Sequence, residues 1–391
     1  MFSSSFWVAD RAPVIPLFFK FLNKDPEAIV KAQLWFSILA WLVLAFSVAL
    51  VLKHLVLKVV AFITILGFSL TQNIIIWDSL ILSDSLALSL LALFLAACLW
   101  LMMDWNWYTV LVFGLLGSLL VLTRDSYAYL LLMADLTLWT LMLVTPHRAR
   151  VALISGIVLM LFLASNLLAT AGNRWYTPFL MTVGLRILPN SQYLDYFRAQ
   201  GMPVSDALME RAGKALHADD LALLKDPALE EFRDWAQKNG RRVYIKFLWH
   251  FKAETLQNPL DDLVFVFNPD IYYYAATGFH PIITDPRLNE ILYPTRYGIL
   301  AVLVANLLAA VFLFPAFQYR RLFWVVPIML ILFSYPQAVL IWNADANDIA
   351  RHSLYHNIEL RLGLWMLVFF VFDFLFQDFK WSGLERVIHV T

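Results

Sequence analysis

Two aspartates, Asp78 and Asp84, stand in the stretch WDSLILSDSLALSL at the mouth of a long apolar run rather than inside it. A carboxylate pair there admits three chemistries: capping a helix, holding a hard divalent cation through its oxygens, or moving a proton. For Asp84 the cap is the plainest reading, because Ser-Asp-Ser-Leu leads straight into hydrophobic residues. Asp78 follows Trp77 at the end of an apolar run, where a short carboxylate loses hydration unless something binds it. The pair therefore admits a divalent cation held through its carboxylate oxygens. Further groups of the same kind are scattered along the chain. Asp10 is followed by Arg11, a candidate proton acceptor beside its own countercharge, and Arg124 precedes Asp125. Late in the sequence, NADANDIARHSLYHNIELR holds Asp345, Arg351, His352, His356 and Glu359. Of these, an arginine is the side chain suited to hold a phosphate through two parallel hydrogen bonds. The nucleotide-binding glycine loop, CxxC, HExxH and GxSxG are all missing from the 391 residues.

The elements that must position these residues are membrane spans. Hydrophobic side chains make up 61% of the chain and charged ones 15%, with a mean hydropathy of +0.69, far more apolar than the roughly 45–50% of a soluble domain. The 29 basic and 29 acidic residues cancel, which leaves no global field to draw nucleic acid. Cys98 is the single cysteine and cannot form an internal disulfide. Apolar runs at about residues 29–52, 55–76, 84–103, 107–122, 126–145, 151–171, 297–316, 322–342 and 357–376 approach the roughly 20 residues needed to span hydrocarbon. The expected fold is thus all-α, a polytopic membrane protein with about nine transmembrane helices. Its parts are an N-terminal membrane module (1–171), a mostly helical extracytoplasmic insert (172–296) and a C-terminal membrane module (297–391).

Sidedness follows from the basic residues. Lys53, His54 and Lys58 lie in one turn, His147, Arg148 and Arg150 in another, and Arg320 and Arg321 in a third. The positive-inside rule puts these turns in the cytoplasm, and alternation then puts Asp10, Asp78, Asp84, Arg124, the insert and Arg351 on the opposite face. Before the first span, LFFKFL after Pro16 reads as a short interfacial helix. Within the insert, Ser205 and Asp226-Pro227 are start signals and Asn239-Gly240 is a stop. His217 to Asp220 read as the solvated face of a helix. Asp373, near the cytoplasmic end of the last span, is expected to reach outward to water, while Asp135 lies deeper with no partner evident.

The order of these parts resembles the GT-C superfamily of polytopic glycosyltransferases, which includes protein O-mannosyltransferases and the aminoarabinose transferase of lipid A. The resemblance rests on Asp10-Arg11-Ala12-Pro13-Val14-Ile15-Pro16-Leu17-Phe18-Phe19, the acidic turn with SDSLALSL, and the turn from Thr123 to Ser126. It covers about residues 7–171, and 297–376 more loosely. It implies a transferase in the cell inner membrane, active on the extracytoplasmic face, that takes a sugar from a polyprenyl-phosphate donor in the lipid and passes it to a glycan, lipid or protein acceptor. Nucleic acid is not an expected partner. The matching positions imply Asp10 as the catalytic carboxylate, Asp78 and Asp84 as ligands of metal, acceptor or donor phosphate, and Arg351 with His352 on the donor phosphate. Arg11 and Arg124 are further candidates on that face. Three departures stand out: the family's first helix is not among these residues, so one further helix upstream is expected; Asp10 is followed by arginine instead of a second acid; and Asp78 and Asp84 are spaced too widely for D-x-D. A non-enzymatic transporter, flippase or scaffold for envelope polymer assembly is the competing class.

Overall fold

The computed structural model describes residues 11–144, 147–216, 226–261, 286–294, 321–347 and 349–378, with 298, 302 and 305 between them. Every regular element among the described residues is helical. In chain order they are α1 (Val14–Phe21), α2 (Pro26–Val51), α3 (Leu55–Ser69), α4 (Gln72–Asp78), α5 (Ser83–Met103), α6 (Trp107–Thr123), α7 (Ser126–Val144) and α8 (Arg148–Ala171). The polar middle of the chain gives α9 (Tyr176–Thr182), α10 (Ser191–Ala199), α11 (Asp206–Met209), α12 (Glu230–Trp235), α13 (Arg241–His250) and α14 (Lys252–Asp261). α15 (Pro286–Leu292), α16 (Arg321–Ala344), α17 (Ile349–His352) and α18 (Leu354–Asp378) follow.

Of the described helices, α2, α5, α8 and α16 are long and apolar enough to cross a membrane, and α3 with α4 makes a fifth if the bent pair is one span. The described residues therefore carry four or five such spans, short of the nine expected. α6 is 17 residues long, matching the short fourth run, and the expected span at 297–316 falls outside the described residues. The pattern is that of an integral membrane protein.

The chain divides into two compact units. The larger, here the membrane unit, holds Ala12–Ser165, Ile271–Ser334 and Tyr355–Thr391. At its centre is α5, packed against α2 and α6 and buried on nearly every side, as expected of a helix that is hydrophobic all round. α2 is half-sided instead: Trp41, Leu44 and Val48 are buried while Trp35, Leu39 and Phe46 face outward. An outward apolar stripe of this kind suits contact with lipid.

The run at 55–76 is not one straight span: α3 and α4 meet at a 58° bend across Leu70 and Thr71. A break frees backbone groups that lipid cannot satisfy. The Thr71 hydroxyl donates to the Phe68 carbonyl at 2.7 Å, and the Gln72 N–H donates to Asn289 Oδ1 at 2.9 Å. Asp373 does not reach outward to water. It is buried, and its Oδ1 accepts the backbone N–H groups of Lys53 and His54 at 2.8 Å each, capping α3 from across the bundle. An anion on those N–H groups also meets the positive end of the helix dipole.

The second unit, here the insert unit, gathers Asn166–Asp270 and Tyr335–Leu354. Its core joins Phe179, Phe197, Leu229, Phe232, Phe247 and their apolar neighbours. The expected start signals hold. Ser205 Oγ accepts from the Leu208 N–H, and Asp226 accepts from the Ala228 N–H at 2.9 Å with Pro227 at the first helical position. Asn239-Gly240 does not stop a helix. A π-helical turn over Ala236–Gly240 runs directly into α13. Gly240 is there for space: a Cβ would meet the Phe179 ring at 2.6 Å. Gly184 is tighter still, since a Cβ would lie 2.2 Å from the Lys214 carbonyl oxygen. The His217 to Asp220 stretch lies outside the described residues.

Candidate functional site

In the membrane unit, the turn between α4 and α5 is held from α2. The Gln33 side-chain amide, fully buried, donates to the carbonyls of Leu80 and Leu82 at 3.2 and 3.3 Å. This fixes the two aspartates in separate environments. Asp78, the last residue of α4, accepts the Ser85 hydroxyl at 2.6 Å and a second hydroxyl from Ser37. Asp84 is not the helix cap. Leu82 occupies the cap position, with no side-chain bond to the helix, and Asp84 sits inside the first turn. The reason is a stronger partner. Arg124 Nη1 donates to Asp84 Oδ1 at 2.8 Å, the Tyr355 hydroxyl donates to the same oxygen at 2.5 Å, and Arg124 Nη1 also reaches the Tyr355 oxygen at 2.5 Å.

Four helix ends supply this cluster. Asp84 comes from the start of α5, Arg124 from the residue that caps the end of α6, and Tyr355 from the start of α18. Tyr127, at the start of α7, packs edge-on against the Tyr355 ring at 5.2 Å between centroids. The Arg124 guanidinium also stacks over that ring at 4.3 Å, a favourable cation–π geometry. The Arg124 side chain is 12% exposed and that of Asp84 0%, so the pair interacts in a medium far less screening than water. The first turns of α18 add His356, Asn357, Glu359 and Arg361, all fully buried.

Asp10 lies outside the described residues. Arg11 is exposed. Asp78, Asp84 and Arg124 all belong to the membrane unit, and Asp84 and Arg124 are in direct contact. Arg351 and His352 are on α17 in the insert unit, where His352 Nε2 lies 3.5 Å from Asp345 Oδ2. Among the described residues no three His, Cys, Asp or Glu side chains gather as metal ligands. The negative charge of Asp84 is answered by Arg124, and Asp78 is held by hydroxyls. Asp135 is buried, and its Oδ1 has no hydrogen-bond partner among the described residues.

Sequence reasoning missed Tyr355, Tyr127 and Arg361. A signal was present. Tyr355 with Glu359, and Asn357 with Arg361, recur at i, i+4 inside an apolar helix, and polar residues at that spacing share one face.

Cavities also lie elsewhere among the described residues. A groove of about 840 Å³ between α6 and α8 is lined by Trp105, Val110, Leu115, Leu153, Ile157 and other mainly apolar groups, and so carries no acid–base chemistry. A small cavity of about 20 Å³ in the insert unit is lined by Arg186, Tyr193, Tyr244, Thr255, Asn258 and Asn343 among others. It has room for about one water-sized group, too little for a sugar. Arg186 donates to the Trp342 carbonyl and stacks on the Trp342 ring at 4.7 Å, and its burial lowers its pKa from the ordinary arginine range.

Tyr244 donates to the Asn343 carbonyl at 2.5 Å, and burial pushes its phenol up to about 12 from 10.0. Below pH 10 the phenol is neutral whether the chain is folded or not, so its contribution is fully present. Between pH 10 and 12 the unfolded chain ionises first, and stability falls as pH rises. Wild type is expected to lose up to about 2–3 kcal/mol more than Tyr244→Phe across that window, read by denaturant unfolding at stepped pH. Parallel pH profiles for the two proteins would refute it.

No family model, curated protein or solved structure matches this chain.

Proposed function

We propose that the chain is a membrane glycosyltransferase that moves a sugar from a polyprenyl-phosphate donor to an acceptor hydroxyl on the extracytoplasmic face of the inner membrane. One observation carries the reading: the buried Asp84–Arg124–Tyr355 cluster in the membrane unit. Ionisable groups within a membrane bundle are costly and persist where they serve a function. This one lies in the acidic turn and the Thr123–Ser126 turn on which the likeness to GT-C enzymes rests. With no nucleotide loop in the sequence, the lipid phase itself must deliver the activated sugar.

In the proposed reaction the acceptor O–H bond breaks and its proton passes to the Asp10 carboxylate. The acceptor oxygen forms a new bond to the anomeric carbon on the face opposite the donor phosphate. The anomeric C–O bond to that phosphate breaks, and its electrons leave with the polyprenyl phosphate. Arg351, with His352, stabilises the charge that develops on that leaving group. The Asp84–Arg124 pair shapes the mouth of the membrane unit.

The test is sugar transfer from radiolabelled polyprenyl-phosphate sugars by the purified protein in lipid nanodiscs. Wild type is expected to turn over, with Asp10→Asn reduced about 10²–10⁴-fold, the usual contribution of a positioned proton acceptor. Equal transfer by wild type and Asp10→Asn removes Asp10 from the mechanism. The 58° break between α3 and α4 favours a second reading, a lipid flippase, because transporters build their sites around interrupted helices. Movement of a fluorescent polyprenyl phosphate across the bilayer with its sugar bond intact would select that reading.

A further inference from the structure

We propose that α13 and α14 of the insert unit lie in the membrane surface, with α13 bound to anionic phospholipid headgroups. This assignment is independent of any glycosyl transfer. Helix α13 buries Val243 and Phe247 in the core of its unit. Its opposite face presents Ile245 and Trp249, 50% and 75% exposed. A tryptophan this exposed, one turn from an exposed isoleucine, has no reason to face bulk water. Arg241, Arg242 and Lys246 flank the two, all exposed, and the helix contains no acid. An apolar strip bordered by basic groups is the composition of an interfacial helix, and each such basic residue gains from a negatively charged lipid surface.

Contacts within the insert unit set these helices beside two helices apolar enough to cross a membrane. Arg241 donates to the Thr170 hydroxyl at 2.9 Å, and Thr170 is the penultimate residue of α8, a helix apolar enough to cross a membrane. The start of α13 therefore stands beside the end of that apolar helix. α14 continues beside α16. Asn343 Nδ2 donates to the Thr255 carbonyl at 3.1 Å, and the Tyr335 hydroxyl donates to the Leu256 carbonyl at 2.5 Å. Tyr335 precedes the end of α16 at Ala344 by nine residues, about 13 Å along the helix axis. Leu256 and Leu260, 54% and 45% exposed, thus lie beside the apolar part of a span, with Gln257 and Asp261 on another side of α14.

Nitroxide labels on single cysteines in a Cys98→Ser background test this. Trp249→Cys and Leu256→Cys report on the two helices, and Gln192→Cys, an exposed position on α10, serves as the water reference. The protein is reconstituted in phosphatidylcholine vesicles with and without roughly 30 mol% phosphatidylglycerol, whose negative headgroups supply the surface charge that basic residues meet. Collision with oxygen and with a water-soluble nickel complex is then measured for each label. Labels at 249 and 256 are expected to favour oxygen over nickel several-fold relative to 192. Phosphatidylglycerol is expected to deepen the label at 249, and Arg242→Glu with Lys246→Glu to abolish that deepening while leaving the unfolding temperature unchanged. Nickel accessibility at 249 and 256 equal to that at 192 overturns the proposal. A depth at 249 indifferent both to phosphatidylglycerol and to the charge reversal also overturns it.

Discussion

Arg124→Ala is expected to destabilise the membrane unit by about 3–5 kcal/mol, the usual cost of leaving a buried charge without its partner. Asp84 is completely buried. Without Arg124 its carboxylate keeps the Tyr355 hydroxyl and loses the cation that offsets its desolvation. Asp84→Asn is expected to cost less, because the amide oxygen still accepts from Tyr355 and Arg124, and the arginine, 12% exposed where Asp84 is 0%, keeps contact with water. The double variant Asp84→Leu, Arg124→Met should recover most of the loss, since a buried ion pair replaced by apolar groups of similar volume is often neutral. Unfolding in detergent micelles, arranged as a double-mutant cycle, measures the coupling. A cycle in which the two substitutions add within about 0.5 kcal/mol would show that the pair is not energetically coupled. If the pair also serves transfer, as proposed, the double variant should be stable yet slow, which separates a structural contribution from a functional one.

The second large effect is expected at Arg361. This arginine is fully buried, with its guanidinium 3.9 Å from the centre of the Tyr293 ring. Nε donates to the Pro294 carbonyl at 2.9 Å, and Nη1 donates to the Asn357 carbonyl and Oδ1 at 3.1 and 3.0 Å. Trp365 Nε1 donates to the nearby Leu292 carbonyl at 2.9 Å. Together these bonds tie the end of α15, where the chain leaves helical geometry, to α18. Arg361→Met removes the donors and strands the Pro294 carbonyl, costing about 1–3 kcal/mol for the acceptor and up to about 2 for the cation–π contact. A total of about 3–4 kcal/mol is expected. Arg361→Lys should fall between, since a point charge cannot bond in two directions as the planar fork does. Hydrogen exchange at Tyr293 is the local readout: faster exchange in Arg361→Met is expected, and unchanged exchange with unchanged unfolding would refute the assignment.

Both predictions concern side chains whose partners are far away in sequence, and this marks the line between what could and could not be read from the chain alone. Asp84 and Arg124 were each legible as candidates, because a charged residue at the edge of an apolar run is conspicuous. Their pairing was not, since it joins residues 40 positions apart and is completed by Tyr355, 271 positions from Asp84. Asp84 looked like a helix cap because cap preferences are local, and a buried countercharge outweighs the roughly 1 kcal/mol at stake in a cap. Asn239-Gly240 looked like a stop for the same reason. Glycine there answers a close approach by Phe179, which no local rule contains.

By itself the sequence determined what hydrophobic periodicity and length can determine: helices as the regular element, several apolar enough to cross a membrane, the start signals at Ser205 and Asp226, and a polar middle segment. These depend on interactions within a few residues or on bulk transfer to lipid, so they survive without knowledge of the fold. Only the tertiary structure decided which carboxylate meets which cation, why α3 and α4 break where Asn289 can satisfy the freed N–H of Gln72, and that Asp373 caps α3. The same holds for the opening aspartates. The sequence set Asp78 and Asp84 at one mouth, Asp84 reading as a cap and Asp78 as a carboxylate in need of a partner, and packing gave hydroxyls to Asp78 and an arginine to Asp84, because in a low-dielectric interior each buried charge must find its own partner.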